Sequence, residues 1–439
     1  ASEVLPLRTT LGVFGASQAG KSYLVSCLAA GKQELAASWG EERISFLRHI
    51  NPPGGDSEAT GVVTRFTHRE VSGPDGFPIE VRVLREVELI CILVNSFYLD
   101  LHLSNDILSR EVNPAFSEEA LRAHLKGVQA QAGERPAHPA VSHADVVYLC
   151  DYLHEHITNN QELTRLKADG WFWSAVRQLA PRLPLKARSE LFAPLWGRLK
   201  VFTFIYERVA AQLELLGGVE RVWVPLEAFV ERGPQGLVQR PGGTINAIST
   251  LAHLFDDDST LEVWPQRPEA RPVKLNFACF AAVTLEITFP LTAASAVDAF
   301  DVLDFPGARS RRKEDLTAYR EDELKARNGP TAFMQQNGPE FIRRGKVAYL
   351  IDRYNRRREI DVLLFCINVA KQQEVTDLIP IVERWINTNV GATPEERARI
   401  RKVPLVGALT RFDEANLFRA ANVMACDLTA RLKARGVKM

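Results

Sequence analysis

The sequence predicts an α/β fold: a mostly parallel sheet flanked by helices, with a large helical block inserted into it. Three observations predict this. Short continuous apolar runs, clearest at residues 362–370 and 403–409, alternate with helix-period segments, as strands buried on both faces do. A glycine-rich turn, Gly15-Ala16-Ser17-Gln18-Ala19-Gly20-Lys21-Ser22, joins the apolar run Leu11-Gly12-Val13-Phe14 to a helical pattern at 23–28. Between about 105 and 265, strand character gives way to helical spacing.

At 439 residues the chain can bury a large core, and 46% hydrophobic with 25% charged residues is an ordinary globular composition. Its 54 basic and 54 acidic side chains balance, so no global charge draws it to nucleic acid or anionic lipid. The six cysteines, at 27, 91, 150, 279, 366 and 426, form no C-x-x-C pair and read as buried thiols in a reducing cytoplasm. No secretory signal or membrane-length apolar run is visible; the runs at 89–94 and 362–370 fit buried strands. The chain starts without Met and stops soon after a helical pattern, so it is expected to be a fragment.

Three parts follow in order: residues 1–104 as the first part of the α/β domain, 105–265 as a mainly helical insertion, and 266–439 as the remainder. After the glycine-rich turn a helix runs to about residue 30. The stretch Asn51-Pro52-Pro53-Gly54-Gly55-Asp56-Ser57-Glu58-Ala59-Thr60-Gly61 is too rich in Pro and Gly for a helix or central strand and reads as an exposed loop. Strands are expected at 62–67, 79–84 and 88–94. Helical spacing marks 118–125, 146–157 and 209–216, with Trp171, Trp173, Trp196, Trp223 and Trp264 as packing residues. Strand character returns at 277–288 and 299–303. A helix at 349–358, a strand at 360–369, a helix at 375–388, a strand at 403–409 and a helix at 417–432 complete the pattern.

The chemistry is expected at the strand ends. In the glycine-rich turn, backbone N–H groups point inward at a phosphate, and the following helix aims its positive end at the same place. Lys21 would reach the β- and γ-phosphates and the Ser22 hydroxyl would ligate Mg²⁺. Asp304-Phe305-Pro306-Gly307 follows a strand, so Asp304 can contact Mg²⁺ and the Gly307 N–H the γ-phosphate; the same four residues also suit an ordinary β-turn. After the strand at 403–409 comes Thr410-Arg411-Phe412-Asp413, where Asp413 could accept both N–H donors of guanine. Thr64 and Thr60 are candidates to close on Mg²⁺.

These residues resemble the dynamin-like branch of the GTPases. Residues 15–22 carry that family's Ala-Gly-Lys-Ser ending, Gly61-Val62-Val63-Thr64-Arg65 is similar to its first switch, Asp304-Phe305-Pro306-Gly307 to its Asp-Leu-Pro-Gly, and Thr410-Arg411-Phe412-Asp413 to its Thr-Lys-x-Asp. The wording at 15–22, 51–67 and 304–307 is similar to that of the SrfC-type bacterial virulence factors, which are longer proteins. The resemblance implies a P-loop GTPase sheet with Mg²⁺ held by Ser22, Thr64 and Asp304. It implies nucleotide contacts from Gly15, Ala16, Ser17, Gln18, Ala19, Gly20, Lys21, Ser22, Tyr23, Gly307, Thr410, Arg411 and Asp413. Hydrolysis would be assisted by Gln18, Ser17, Lys21 and Thr64. Ser17 and Gln18 stand in the reverse of the usual dynamin order, and Arg411 replaces the usual Lys. The implied partners are GTP and GDP, a second copy across the nucleotide face and proteins of a virulence-associated operon, with no nucleic acid. A bacterial cytoplasmic location is expected, with peripheral membrane association or secretion as an effector left open. Two rival readings stay open: an ATPase in which Asp413 is incidental, and a nucleotide-gated scaffold that barely hydrolyses.

Other clusters read as structural. His154-Glu155-His156 places its histidines off a shared helix face, and Asp256-Asp257-Asp258 lacks the spacing of a cation loop. Arg309-Ser310-Arg311-Arg312-Lys313 reads as a solvated face, with transition-state neutralisation as the sharper alternative. Arg353 and Arg356-Arg357-Arg358 read as cations near a helix C-terminus.

Overall fold

The computed structural model describes residues 8–410 except 18, 32, 40–41, 52–59, 135, 137, 159, 235, 292–297, 308–312, 327–328, 369–371 and 401–403. Gln18, most of the Pro- and Gly-rich loop, Arg309 to Arg312, Arg411, Asp413, Cys426 and the helix expected at 417–432 therefore lie outside the described residues.

Ten strands make one sheet: β1 (Thr9–Gly15), β2 (Val63–Thr67), β3 (Ile79–Val83), β4 (Arg221–Val224), β5 (Thr260–Pro265), β6 (Val273–Asn276), β7 (Thr284–Pro290), β8 (Phe300–Asp304), β9 (Val362–Asn368) and β10 (Leu405–Thr410). Across the sheet the order is β6-β5-β4-β3-β7-β2-β8-β1-β9-β10. The four strands β8, β1, β9 and β10 are mutually parallel. Beyond them, β2 is antiparallel to β8 and parallel to β7, and every further pairing is antiparallel. The sheet is thus mixed, where a mostly parallel one is expected. The parallel half matches the apolar runs read as strands: β8 and β9, covered on both faces, have no reason to alternate, while β10, last in the strand order, is buried only at Leu405. The antiparallel half has weaker sequence signals, and its pairing is long-range.

Two expected strands are helices. Residues 88–94 lie in α2 (Glu86–Asp100), not in a hairpin, following α1 (Lys21–Ala30) in chain order. Fourteen of the fifteen residues of α2 are buried, so its sequence shows no polar face, and a six-residue apolar run looks the same in a fully buried helix as in a buried strand. Its start is capped by Glu88, whose Oε2 accepts from the Arg85 N–H at 2.8 Å. Likewise the stretch read as one strand at 277–288 is a short buried helix, Phe277–Val283, followed by β7; Asn276 caps it by accepting from the Cys279 N–H at 2.9 Å.

Helices fill residues 105 to 216, ending in α3 (Lys200–Leu216), and pack on α2. Buried Arg188 grips buried Glu86 at the start of α2 with two bonds of 2.8 and 3.0 Å. After α3 the chain returns to the sheet as β4 and β5, so part of the segment 105–265 is built into the sheet itself. Of the five tryptophans read as packing residues, Trp173, Trp196 and Trp223 are buried and Trp171 and Trp264 are half-buried.

Two long helices follow β8, α4 (Pro339–Arg356) and α5 (Gln372–Asn389). Arg353 lies in the last turn of α4, as expected for a cation near a helix C-terminus, and has a second role. It is buried and pairs with buried Glu88 at 2.7 Å, across the contact between α4 and α2. Among the described residues no helix is long and apolar enough to cross a membrane.

Candidate functional site

The strand order brings the expected residues to one edge of the sheet. Because β8, β1, β9 and β10 are parallel, their C-terminal ends lie side by side, placing Asp304, Gly15, Asn368 and Thr410 along one rim. The antiparallel β2 starts at that rim, and Thr64 stands directly opposite Asp304. The C-terminal edge of parallel strands is the general location for ligand sites in such sheets.

Gly15 sits so close to β9 that a Cβ would lie 2.4 Å from the Cys366 carbonyl oxygen, so glycine is required there. Gly20 adopts φ 76°, the left-handed conformation, and turns the chain from the loop into α1. A Cβ on Gly20 would lie 3.7 Å from Thr410 Cβ, which puts the end of β10 beside the glycine-rich turn. The first helical bond of α1 runs from the Leu24 N–H to the Gly20 carbonyl at 3.0 Å. The N–H groups of Lys21, Ser22 and Tyr23 precede it and are the donors a helix start offers to an anion. Tyr23 is 73% exposed, and the group it offers at the helix start is its backbone N–H.

Lys21 is buried, and its ammonium donates to the Ala16 carbonyl at 2.7 Å, turned into the loop. The Ser22 hydroxyl donates to Asp304 Oδ2 at 3.1 Å across 282 residues of sequence. Asp304 and Thr64 are both buried and, as a directly opposed antiparallel pair, project from the same face. Two hydroxyls and a carboxylate are hard oxygen donors of the kind Mg²⁺ takes, which fits the expected metal. Thr60, the alternative threonine, forms an isolated antiparallel bridge with Ala247. In the floor of the turn, burial pushes the Cys366 thiol up to about 12, so it is an inert packing group.

Arg65, next to Thr64, projects to the opposite face and bonds Glu286 at 2.9 Å and Asp301 at 3.0 Å. It belongs to the sheet's ion-pair layer rather than to the rim. His156 is placed against Asp352 at 3.3 Å, and among the described residues no cluster of His, Cys, Asp or Glu could hold a metal. Asp257 closes its own turn by accepting from the Ser259 N–H at 2.8 Å.

Two residues that no motif points to complete the site. Asn51 donates from Nδ2 to Ser22 Oγ at 2.9 Å. It is carried there by the turn Phe46–Ile50, whose Phe46 ring packs edge-on against Phe66 of β2 at 4.9 Å and Phe289 of β7 at 5.7 Å. Asn246, from the far side of the insertion, donates to the Ile50 carbonyl at 2.9 Å. Lone asparagines 29 and 224 residues from Ser22 carry no spacing signal.

The molecule is thus a mixed α/β protein with a glycine-rich strand–loop–helix and a hydroxyl–carboxylate cluster on one sheet rim. The chain belongs to the family described as "Putative bacterial virulence factor", whose model matches residues 3–434. No curated protein matches it.

Proposed function

We propose that this rim binds GTP with Mg²⁺ and hydrolyses it, as a dynamin-like bacterial GTPase acting as a virulence-associated switch. The observation that carries the reading is the 3.1 Å bond between Ser22 of the glycine-rich turn and Asp304 at the end of β8. A hydroxyl following Gly-Lys and a strand-end carboxylate meet beside the glycine-rich turn, a pair of hard oxygen donors that would hold Mg²⁺. Lys21 would swing from the Ala16 carbonyl onto the β- and γ-phosphates, and the loop and helix N–H groups would cradle them. Ser22, Asp304 and Thr64 would hold Mg²⁺, which supplies neutralising charge to the phosphate oxygens. Gly307 would bond the γ-phosphate, and Gln18 and Ser17 would position water. Thr410 and Gly20, adjacent in the fold, support a base site beyond β10, where Arg411 would stack and Asp413 would read guanine. The reading carries with it GTP and GDP as ligands and a second copy of the chain as partner.

Competition of unlabelled GTP and ATP against a labelled GTP analogue tests the base preference. GTP should displace at least about tenfold better than ATP, and Asp413→Ala should abolish the difference. Equal affinities in the parent protein, or an unchanged preference in Asp413→Ala, would make Asp413 incidental.

A further inference from the structure

The segment 244–250 of the insertion holds both ends of the Pro- and Gly-rich loop through one residue. Asn246 is 1% exposed, and its side chain is fully directed: Oδ1 accepts from the Thr244 hydroxyl at 2.7 Å while Nδ2 donates to the Ile50 carbonyl at 2.9 Å. Its own carbonyl accepts from the Gly61 N–H at 2.8 Å, and the next residue, Ala247, bridges Thr60. One end of the loop therefore hangs from the Asn246 carboxamide and the other from its backbone. The segment is itself braced. The Thr250 hydroxyl donates to the Thr244 carbonyl at 2.8 Å, and residues Ile248–His253 pack on α4 and on the helix Phe277–Val283.

Each held end leads directly to a candidate Mg²⁺ group. Asn51, following Ile50, donates to the Ser22 hydroxyl, and Gly61 precedes Thr64 by three residues, with Thr64 opposite Asp304. We infer that Asn246 is a positioning residue through which the helical insertion sets the Mg²⁺-dependent part of nucleotide affinity. This rests on the nucleotide reading above. Asparagine suits the task because one side chain must accept at one atom and donate at the other. Asp would set an acceptor against the Ile50 carbonyl, and Ala would leave both partners without a bond. The freed Ile50 end, which carries Asn51 to Ser22, must then be ordered at the moment the metal binds, which weakens binding. Phosphate contacts from the glycine-rich turn and Lys21 do not pass through Asn246 and should be unaffected.

The test is titration of a fluorescent GTP analogue, in Mg²⁺ and in EDTA, onto the parent chain, Asn246→Ala, Asn246→Asp, Thr244→Val and Lys21→Ala. Asn246→Ala and Asn246→Asp should each raise Kd in Mg²⁺ about tenfold while Kd in EDTA stays within about twofold. Thr244→Val, which only releases the carboxamide's orientation, should raise Kd in Mg²⁺ about threefold and serves if the Asn246 variants fail to melt cooperatively. An unchanged ratio of the two Kd values, whether neither moves or both rise together, overturns the role of Asn246. Binding by neither the parent chain nor Lys21→Ala would instead overturn the nucleotide reading, and this inference with it.

Discussion

Strand β8 carries two carboxylates, Asp301 and Asp304, both 6% exposed, on opposite faces of the same sheet. Asp301 is matched by two arginines, Arg8 and Arg65, each at 3.0 Å. Asp304 meets the Ser22 hydroxyl at 3.1 Å, on the face shared with Thr64 and α1. Burial does not tell the two apart; their partners do. On the first face Arg65, Arg82, Glu286 and Glu359 form a connected ion-pair layer under α4, where charge is neutralised by charge. On the second, the carboxylate meets the Ser22 hydroxyl at the start of α1, with Thr64 opposite it in register, an arrangement suited to taking up a cation. One face holds the fold through matched charges; the other carries the proposed nucleotide site.

Breaking the ion-pair face should give the largest change in stability. Arg65→Ala removes the bonds to Glu286 and Asp301 and should cost about 3–5 kcal/mol, because the carboxylates left behind are buried. Denaturant melts check this, and a loss under about 1 kcal/mol would show that the layer is solvated after all. The same layer makes an acid signature. Burial alone would raise the Glu286 carboxyl, but Arg65 and Arg82 beside it bring it from 4.5 to about 2. The unfolded chain then binds more protons between those values, so this contribution is complete above pH 4.5 and is lost as pH falls toward 2. Glu286→Gln should flatten that part of the stability profile.

On the other face the effect should fall on binding. Lys21→Ala should weaken labelled-nucleotide binding by at least about a hundredfold, roughly 2.7 kcal/mol, with the melting midpoint little changed. A variant that melts early without losing affinity would reverse the assignment of the two faces.

The face of the proposed site is the more legible of the two. The glycine-rich turn, the parallel strands and Asp304 could all be placed because each is a local pattern: an apolar run, then glycine, lysine or an acidic turn. The other face depends on pairs far apart in the chain, such as Arg65 with Glu286 or Glu88 with Arg353, which no local spacing encodes. Helix α2 looks like a strand in sequence for a related reason. Surrounded on every side, it needs no polar stripe, so the period that identifies a helix is absent. Strands β4 and β5 were hidden inside a region whose strongest signals are helical. Asn51 and Asn246 are ordinary loop residues until folding brings them to Ser22 and Ile50.

The most direct measurement is a titration of labelled GTP onto the chain with Mg²⁺ and with EDTA, repeated for Asp304→Asn. Saturable binding that tightens in Mg²⁺, with the tightening lost in Asp304→Asn, is the predicted result. Binding that is absent, or equally tight in EDTA and indifferent to Asp304, would contradict it.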